Sequence, residues 1–254
     1  MRLLGAFLLS VLVVMPGRSS AQDEERIRKL FEGAIAELGG DAFLGVKDIV
    51  SEGSFFFFGR DGSSGPLVKY FDWTKLPDKS RNELGNNKKS RDVTVFNLSS
   101  NEGWILEGQK DTRAARPDEM KGFRDAVKHA YDNIFRLRWK DPANRLFYLG
   151  SGEGSDFIYE IVRILDPEND EVNIYFDRVG RLPAKIEYRN VDVQGVRLRH
   201  VEEYSQWHVI QGVKTPLRID SFVNGRRSTQ QFVLKVSYNN NLSDDFFVKP
   251  IPPK

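Results

Sequence analysis

The sequence contains no cysteine. That absence removes a disulfide framework, a thiolate metal site and a cysteine nucleophile, and it leaves no cysteine for lipid attachment at an export cleavage point. Histidine is scarce too, with three copies in 254 residues. His129 falls on the polar side of a helical pattern, and only His200 and Glu202 share a strand face. A catalytic zinc site draws three protein ligands, so that pair is expected on a solvated strand face, with no metal and no other cofactor. Nucleophile elbows, phosphate loops and H-E-x-x-H are missing as well. Gly150-Ser151-Gly152-Glu153-Gly154-Ser155 lies between two strand patterns without the helix N-terminus of a phosphate site, which makes it a hairpin loop. The expectation is a protein that is not an enzyme.

Long apolar runs are lacking beyond the first residues. Arg2 followed by Leu3 to Met15, a Pro16-Gly17 break and the small residues Ser19-Ser20-Ala21 form an export signal cleaved before Gln22. A run of about 13 apolar residues is short of the roughly 20 that a membrane-spanning helix needs. Residues 1–21 are therefore read as a signal peptide and 22–254 as a single domain. That domain is expected in a bacterial periplasm as a monomer without a transmembrane anchor.

An excess of either charge is also lacking. The full chain carries 38 basic and 36 acidic side chains, and Arg2 and Arg18 leave with the signal. Balanced charge argues against a nucleic-acid partner, which needs a concentrated basic face. The densest basic pairs, Lys88-Lys89 and Arg226-Arg227, read as solvated loop tips.

What is present is periodicity. Ile27, Leu30, Phe31, Ala34, Ile35 and Leu38 fall on one face of a helix over Glu24–Leu38, with acids at its start and Gly39-Gly40 at its end. A second helix is expected from Pro117 to Leu137, with Met120, Phe123, Val127, Ala130, Tyr131 and Ile134 as its apolar stripe. The rest reads as about eleven strands: Ile49–Phe58, Leu67–Trp73, Arg91–Asn97, Gly103–Glu107, Phe147–Gly150, Phe157–Leu165, Glu171–Asp177, Ala184–Arg189, Val196–Tyr204, Val213–Val223 and Gln231–Tyr238. Many alternate, as Ile186 and Tyr188 do against Lys185, Glu187 and Arg189, which is the mark of an antiparallel sheet with one wet face. Asn224-Gly225 and Asp177–Gly180 supply hairpin turns. The fold class is mainly β with some α: one curved antiparallel sheet covered on its concave side by two amphipathic helices.

Aromatic residues make up 12% of the chain, eighteen of them phenylalanine. Phe55, Phe57, Phe71, Trp73, Trp104, Phe176, Tyr188 and Phe232 are candidates for one concave face. Two readings stay open. Either they close an ordinary core, or two helices fail to fill a curved sheet and leave a cavity suited to an apolar group.

The order of signals resembles the LolA-like superfamily of periplasmic lipoprotein carriers. Lys75-Leu76-Pro77 followed by a strand, Val93–Asn97 with Gly103-Trp104, Gln206–Ile219 with its Gly212 and Pro216, and the closing run Val236–Pro250 carry the likeness. The resemblance implies an unclosed antiparallel half-barrel with a helical lid, and an apolar interior for lipid or lipoprotein acyl chains. In the best-known carriers an arginine before that proline helps latch the lid; here Leu76 stands there. The function expected is a periplasmic binding or carrier protein for an apolar or lipidated ligand. The alternatives are a non-enzymatic interaction or scaffold module with a filled core, or an enzyme built from residues distant in sequence.

Overall fold

The computed structural model of the protein describes residues 21–154, 158–192 and 194–252. The export segment, apart from Ala21, lies outside them, as do Ser155 of the glycine-rich run and Phe157 at the head of one expected strand.

Helix α1 (Ala21–Leu38) is followed by the single turn α2 (Asp41–Leu44). Six strands come next: β1 (Asp48–Phe57), β2 (Val68–Lys75), β3 (Lys79–Leu84), β4 (Asp92–Asn97), β5 (Glu102–Glu107) and β6 (Asp111–Ala114). Helices α3 (Pro117–His129) and α4 (Tyr131–Arg136) intervene. Seven strands complete the fold: β7 (Arg145–Glu153), β8 (Ile158–Leu165), β9 (Glu171–Asp177), β10 (Pro183–Val191), β11 (Arg197–Ile210), β12 (Val213–Val223) and β13 (Arg226–Tyr238).

All thirteen strands form one antiparallel sheet in the order β6-β5-β4-β3-β2-β1-β13-β12-β11-β10-β9-β8-β7. Two meanders are joined where β1 pairs with β13, Ile49 opposite Tyr238. β6 and β7 are the two free edges, so the sheet stays open. Because these edges are consecutive in the chain, their connection must travel from one side of the sheet to the other. Helices α3 and α4 make that crossing, and this places them over the concave face.

Two more strands form than the alternation indicates: β3, which the family resemblance implies after Pro77, and β6. The glycine-rich run is also more ordered than a loop, since Gly150–Glu153 belong to β7, with a bulge between Tyr148 and Gly150. At the β12–β13 turn, Asn224 and Gly225 have φ of 51° and 79°, the paired positive values of a type I′ hairpin.

The main core lies under α1. Ile27, Phe31, Ala34, Ile35 and Leu38 are buried against Val162, Ile164, Val172, Ile174, Phe176 and Ile186 of β8–β10. Each large side chain withdrawn from water there contributes roughly 1.5–3 kcal/mol. Phe31 stacks on Trp139 at 4.8 Å and meets Phe176 edge-on at 5.2 Å. A smaller cluster, Val93, Val95, Leu106 and Phe247, sits on the opposite face beneath the C-terminal segment.

The expected single helix over 117–137 is two helices. Ala130 is extended, with φ −60° and ψ 134°. The carbonyls that α3 leaves free at this break are taken up by side chains: Asn133 Nδ2 donates to the Val127 carbonyl at 2.8 Å, and Arg138 to the Lys128 carbonyl at 3.2 Å. The break turns Ile134 and Phe135 into the core, where both are fully buried.

Candidate functional site: a cavity beneath the bridging helices

Register fixes which side chains share the concave face. Ile49 pairs with Thr74, Ser51 with Asp72, Gly53 with Tyr70 and Phe55 with Val68; Thr74 then pairs with Ser80, and Ser80 with Phe96. Over this surface Phe96 stacks on Phe123 of α3 at 4.6 Å. Gly103 leaves room for the same helix, since a Cβ there would lie 2.6 Å from Met120 Sδ. At Gly53 the ring of Tyr70 crosses β1: a Cβ would stand 2.6 Å from Tyr70 Cε1 and 2.0 Å from the Phe232 carbonyl oxygen.

Between α3, α4 and strands β1, β2, β3, β12 and β13 the structure leaves a cavity of about 290 Å³. That is close to the lower end of ligand pockets, roughly 300–1,000 Å³. Its apolar wall includes Ile49, Leu76, Phe123, Val127, Ile219 and Val236, and Ser51, Thr74, Ser80 and Thr215 add hydroxyls. Small residues, Ala126 and Ala130 above and Ser51 and Ser80 below, are among those that line it.

Two carboxylic acids line it. Burial pushes Asp72 up to about 6, with hydroxyl and amide donors from Thr74, Asn82 and Ser80 offsetting part of that cost. Burial also raises Asp132, opposed by the Arg136 guanidinium that donates to it at 3.1 Å. Tyr238 and Thr215 share a hydrogen bond of 2.6 Å.

The lid is fastened at its hinge. His129 is buried, 3% exposed, and stacks on Tyr188 at 3.8 Å, which stacks on His200 at 4.9 Å. Its Nδ1 faces the Asp125 carbonyl at 2.7 Å and its Nε2 faces the Asp170 carboxylate at 3.0 Å. Burial opposes ionisation of Asp170, but the hydrogen bond and charge of His129, with Lys128 and Arg138, hold it well below the usual carboxylate range. His129 is thus not on a polar surface: the helix ends there and the ring turns under it. His200 and Glu202 are not on a solvated face either. They lie half-buried on the concave side, His200 bonded to Asn190 at 2.9 Å and Glu202 accepting from Tyr204 at 2.7 Å. At the lid latch position Leu76 packs against the main core, and Asn133 reaches the Pro77 carbonyl at 3.4 Å.

The eight aromatics expected on one face divide between two. Phe55 and Phe57 lie on the concave side with Tyr70, at 5.7 Å from each other and with Phe55 at 4.8 Å from Tyr70. Phe176 is in the main core, and Tyr188 lies under His129. Phe71, Trp73 and Trp104 face the other way, in the rows Phe71–Glu83–Val93 and Trp73–Arg81–Val95–Trp104. Phe246 covers Trp73 at 5.2 Å, Lys249 lies over Trp104 and Arg91 over Phe71. Phe232 is convex as well, against Phe56 at 6.2 Å. The reason is the C-terminal segment, which gives the convex side a cover that strand alternation alone does not show. None of the eight is among the residues that line the cavity.

Neither a family profile nor a curated protein matches the sequence. Solved structures do. A LolA superfamily protein from Nitrosomonas europaea aligns over 85% of this chain and 97% of its own, at 13% identity and a TM-score of 0.56. The fold is LolA-like. A DUF1329 family protein from Desulfovibrio piger aligns over 87% and 97%, at 11% identity and a TM-score of 0.58. A domain named for outer membrane lipoprotein sorting, from Vibrio parahaemolyticus, aligns over 88% and 96%, at 11% identity and a TM-score of 0.53. The open half-barrel with helices across its mouth is the architecture this chain shares with them. Among the described residues no helix is long and apolar enough to cross a membrane.

Proposed function

We propose that the protein is an exported, non-catalytic binding or carrier protein of the periplasm, acting as a monomer, that holds an apolar or lipid-bearing ligand beneath α3 and α4. The carrying observation is the cavity itself: a space with an apolar wall beside hydroxyls and two carboxylic acids, roofed by a two-part helix that is fastened at its hinge. The LolA-like fold supports the same reading, and a relative named for lipoprotein sorting suggests acyl chains as the ligand class. Phe55, packed on Tyr70 at 4.8 Å, would extend the apolar wall along β1 for a ligand longer than the cavity.

Val127→Phe tests this, because the larger ring fills the roof. Binding of the neutral fluorescent probe N-phenylnaphthylamine is expected to weaken at least about tenfold, at a stability cost of about 1–3 kcal/mol. Native mass spectrometry of protein taken from periplasm is expected to show added lipid mass on the parent and none on the variant. A filled scaffold is the second reading, favoured by the complete burial of Phe176 in the main core. No probe binding and no added mass on the parent protein would establish it instead.

A further inference from the structure

One end of the sheet combines features that neither the cavity nor the core accounts for. Because neighbouring strands are antiparallel, the β1–β2 connection, the β3–β4 connection and the β12–β13 turn all emerge there. Hydrogen bonds join them into one rim. Arg226 donates to the Arg60 carbonyl at 3.4 Å, Phe58 N to the Ser228 carbonyl at 2.9 Å, and Asn86 Nδ2 to the Leu67 carbonyl at 2.9 Å. The Arg227 guanidinium lies 5.6 Å from the centre of the Phe58 ring.

The two basic pairs that stand far apart in sequence, Lys88-Lys89 and Arg226-Arg227, therefore belong to one surface, together with Arg60 and Lys69. All six are exposed. Arg60, Lys69, Lys88, Lys89 and Arg226 form no ion pair among the described residues, and Asp61 beside them is engaged by Ser63. Among these cations stand Phe57, 41% exposed, and Leu67, 40% exposed. Such exposure is costly for a phenylalanine and a leucine on adjoining strand ends. Unpaired cations interleaved with exposed apolar side chains fit one kind of surface, an anionic bilayer: phosphates meet the cations while the apolar groups enter the headgroup layer. A polyanion such as nucleic acid would use the charges and leave Phe57 and Leu67 in water.

We propose that this rim docks the protein on anionic phospholipid membranes. The docking surface is separate from the cavity, so it stands or fails apart from ligand binding. The test is co-sedimentation of the full-length mature protein with phosphatidylcholine vesicles, with and without phosphatidylglycerol. Binding is expected only with phosphatidylglycerol, and it should weaken at high salt. Lys88→Gln with Arg226→Gln, two of the unpaired cations, should weaken it about 30-fold, from about 1 kcal/mol per cation at the surface. Lys29→Gln with Lys47→Gln, at the opposite end, should leave it unchanged. A Phe57→Trp variant should show blue-shifted emission on binding, quenched by brominated lipid, and circular dichroism verifies that each variant is folded. Equal effects of the two double variants, or binding without phosphatidylglycerol, would overturn the proposal. So would retained vesicle binding with the emission of the Phe57→Trp variant unmoved, the signature of a purely electrostatic polyanion surface.

Discussion

Asp72 is the residue whose environment most clearly sets a measurable property. It stands on the concave face with Thr74 Oγ1 donating at 3.0 Å, and burial pushes its pKa up to about 6. The sign follows from linkage: the folded state holds the proton more tightly than the unfolded chain, whose aspartate titrates near 3.9. Below about pH 4 both states are neutral at this site and the contribution is at its best; it is lost as pH rises through about 6. A shift of about two units corresponds to at most about 3 kcal/mol. Asp72→Asn should therefore match the parent in acid and exceed it above pH 6 by up to that amount, seen as a pH-dependent difference between urea midpoints. Acids held low, such as Glu119 at about 2 through Arg113 and Asp244 at about 2 through Lys75 and Lys79, act with the opposite sign at lower pH. They are common to both proteins and cancel in that difference. A constant offset between the two proteins across pH would contradict a raised Asp72.

At the scale of elements, one amide serves the α3–α4 hinge twice. Asn133 donates to the Val127 carbonyl and to that of Pro77, so it both closes the end of α3 and ties the lid to the β2–β3 turn. Asn133→Ala should cost about 1–2 kcal/mol by leaving a helix-end carbonyl unpaired. Asn133→Asp keeps the shape but not the donor and should cost at least as much; chemical denaturation of both checks this. Wild-type stability in the Asp variant would mean that shape alone holds the hinge. The hinge was not legible in the sequence, because the apolar stripe Met120, Phe123, Val127, Ala130, Tyr131 and Ile134 runs through it without a phase change. Helix α1 was legible, since its stripe and its buried face coincide. Strand β3 carries no alternation to read: Ser80 lines the cavity and Asn82 bonds to Asp72, while Arg81 and Glu83 pair on the other side at 3.0 Å. Four phenylalanines in a row conceal which of Phe55 to Phe58 point inward. The cavity itself is lined in part by alanines and serines, whose smallness leaves space only once the elements that carry them are opposed.

Across the whole molecule, stability is unevenly distributed. The β7–β12 half rests on α1 and a large continuous core. The β3–β6 half has a few concave contacts from α3 and, on its convex side, the small cluster under Phe247. Edge strand β6 spans four residues and is held to α3 by Arg113, which donates to Glu119 at 2.8 Å. Local opening free energies follow buried apolar contact, so hydrogen exchange should be slowest in α1 and β8–β10. It should be faster in β6, α3 and α4. The same measurement separates a roof that responds to a ligand from one that is only a bridge. A molecule held in the cavity touches α3, α4, β1–β3, β12 and β13 and does not touch α1 or β8–β10, so saturation with N-phenylnaphthylamine should slow exchange in the first set and leave the second unchanged. Uniform slowing would indicate global stabilisation of the fold. Slowing confined to the 57–69 and 224–227 connections would place the probe on the basic rim and leave the cavity without a ligand.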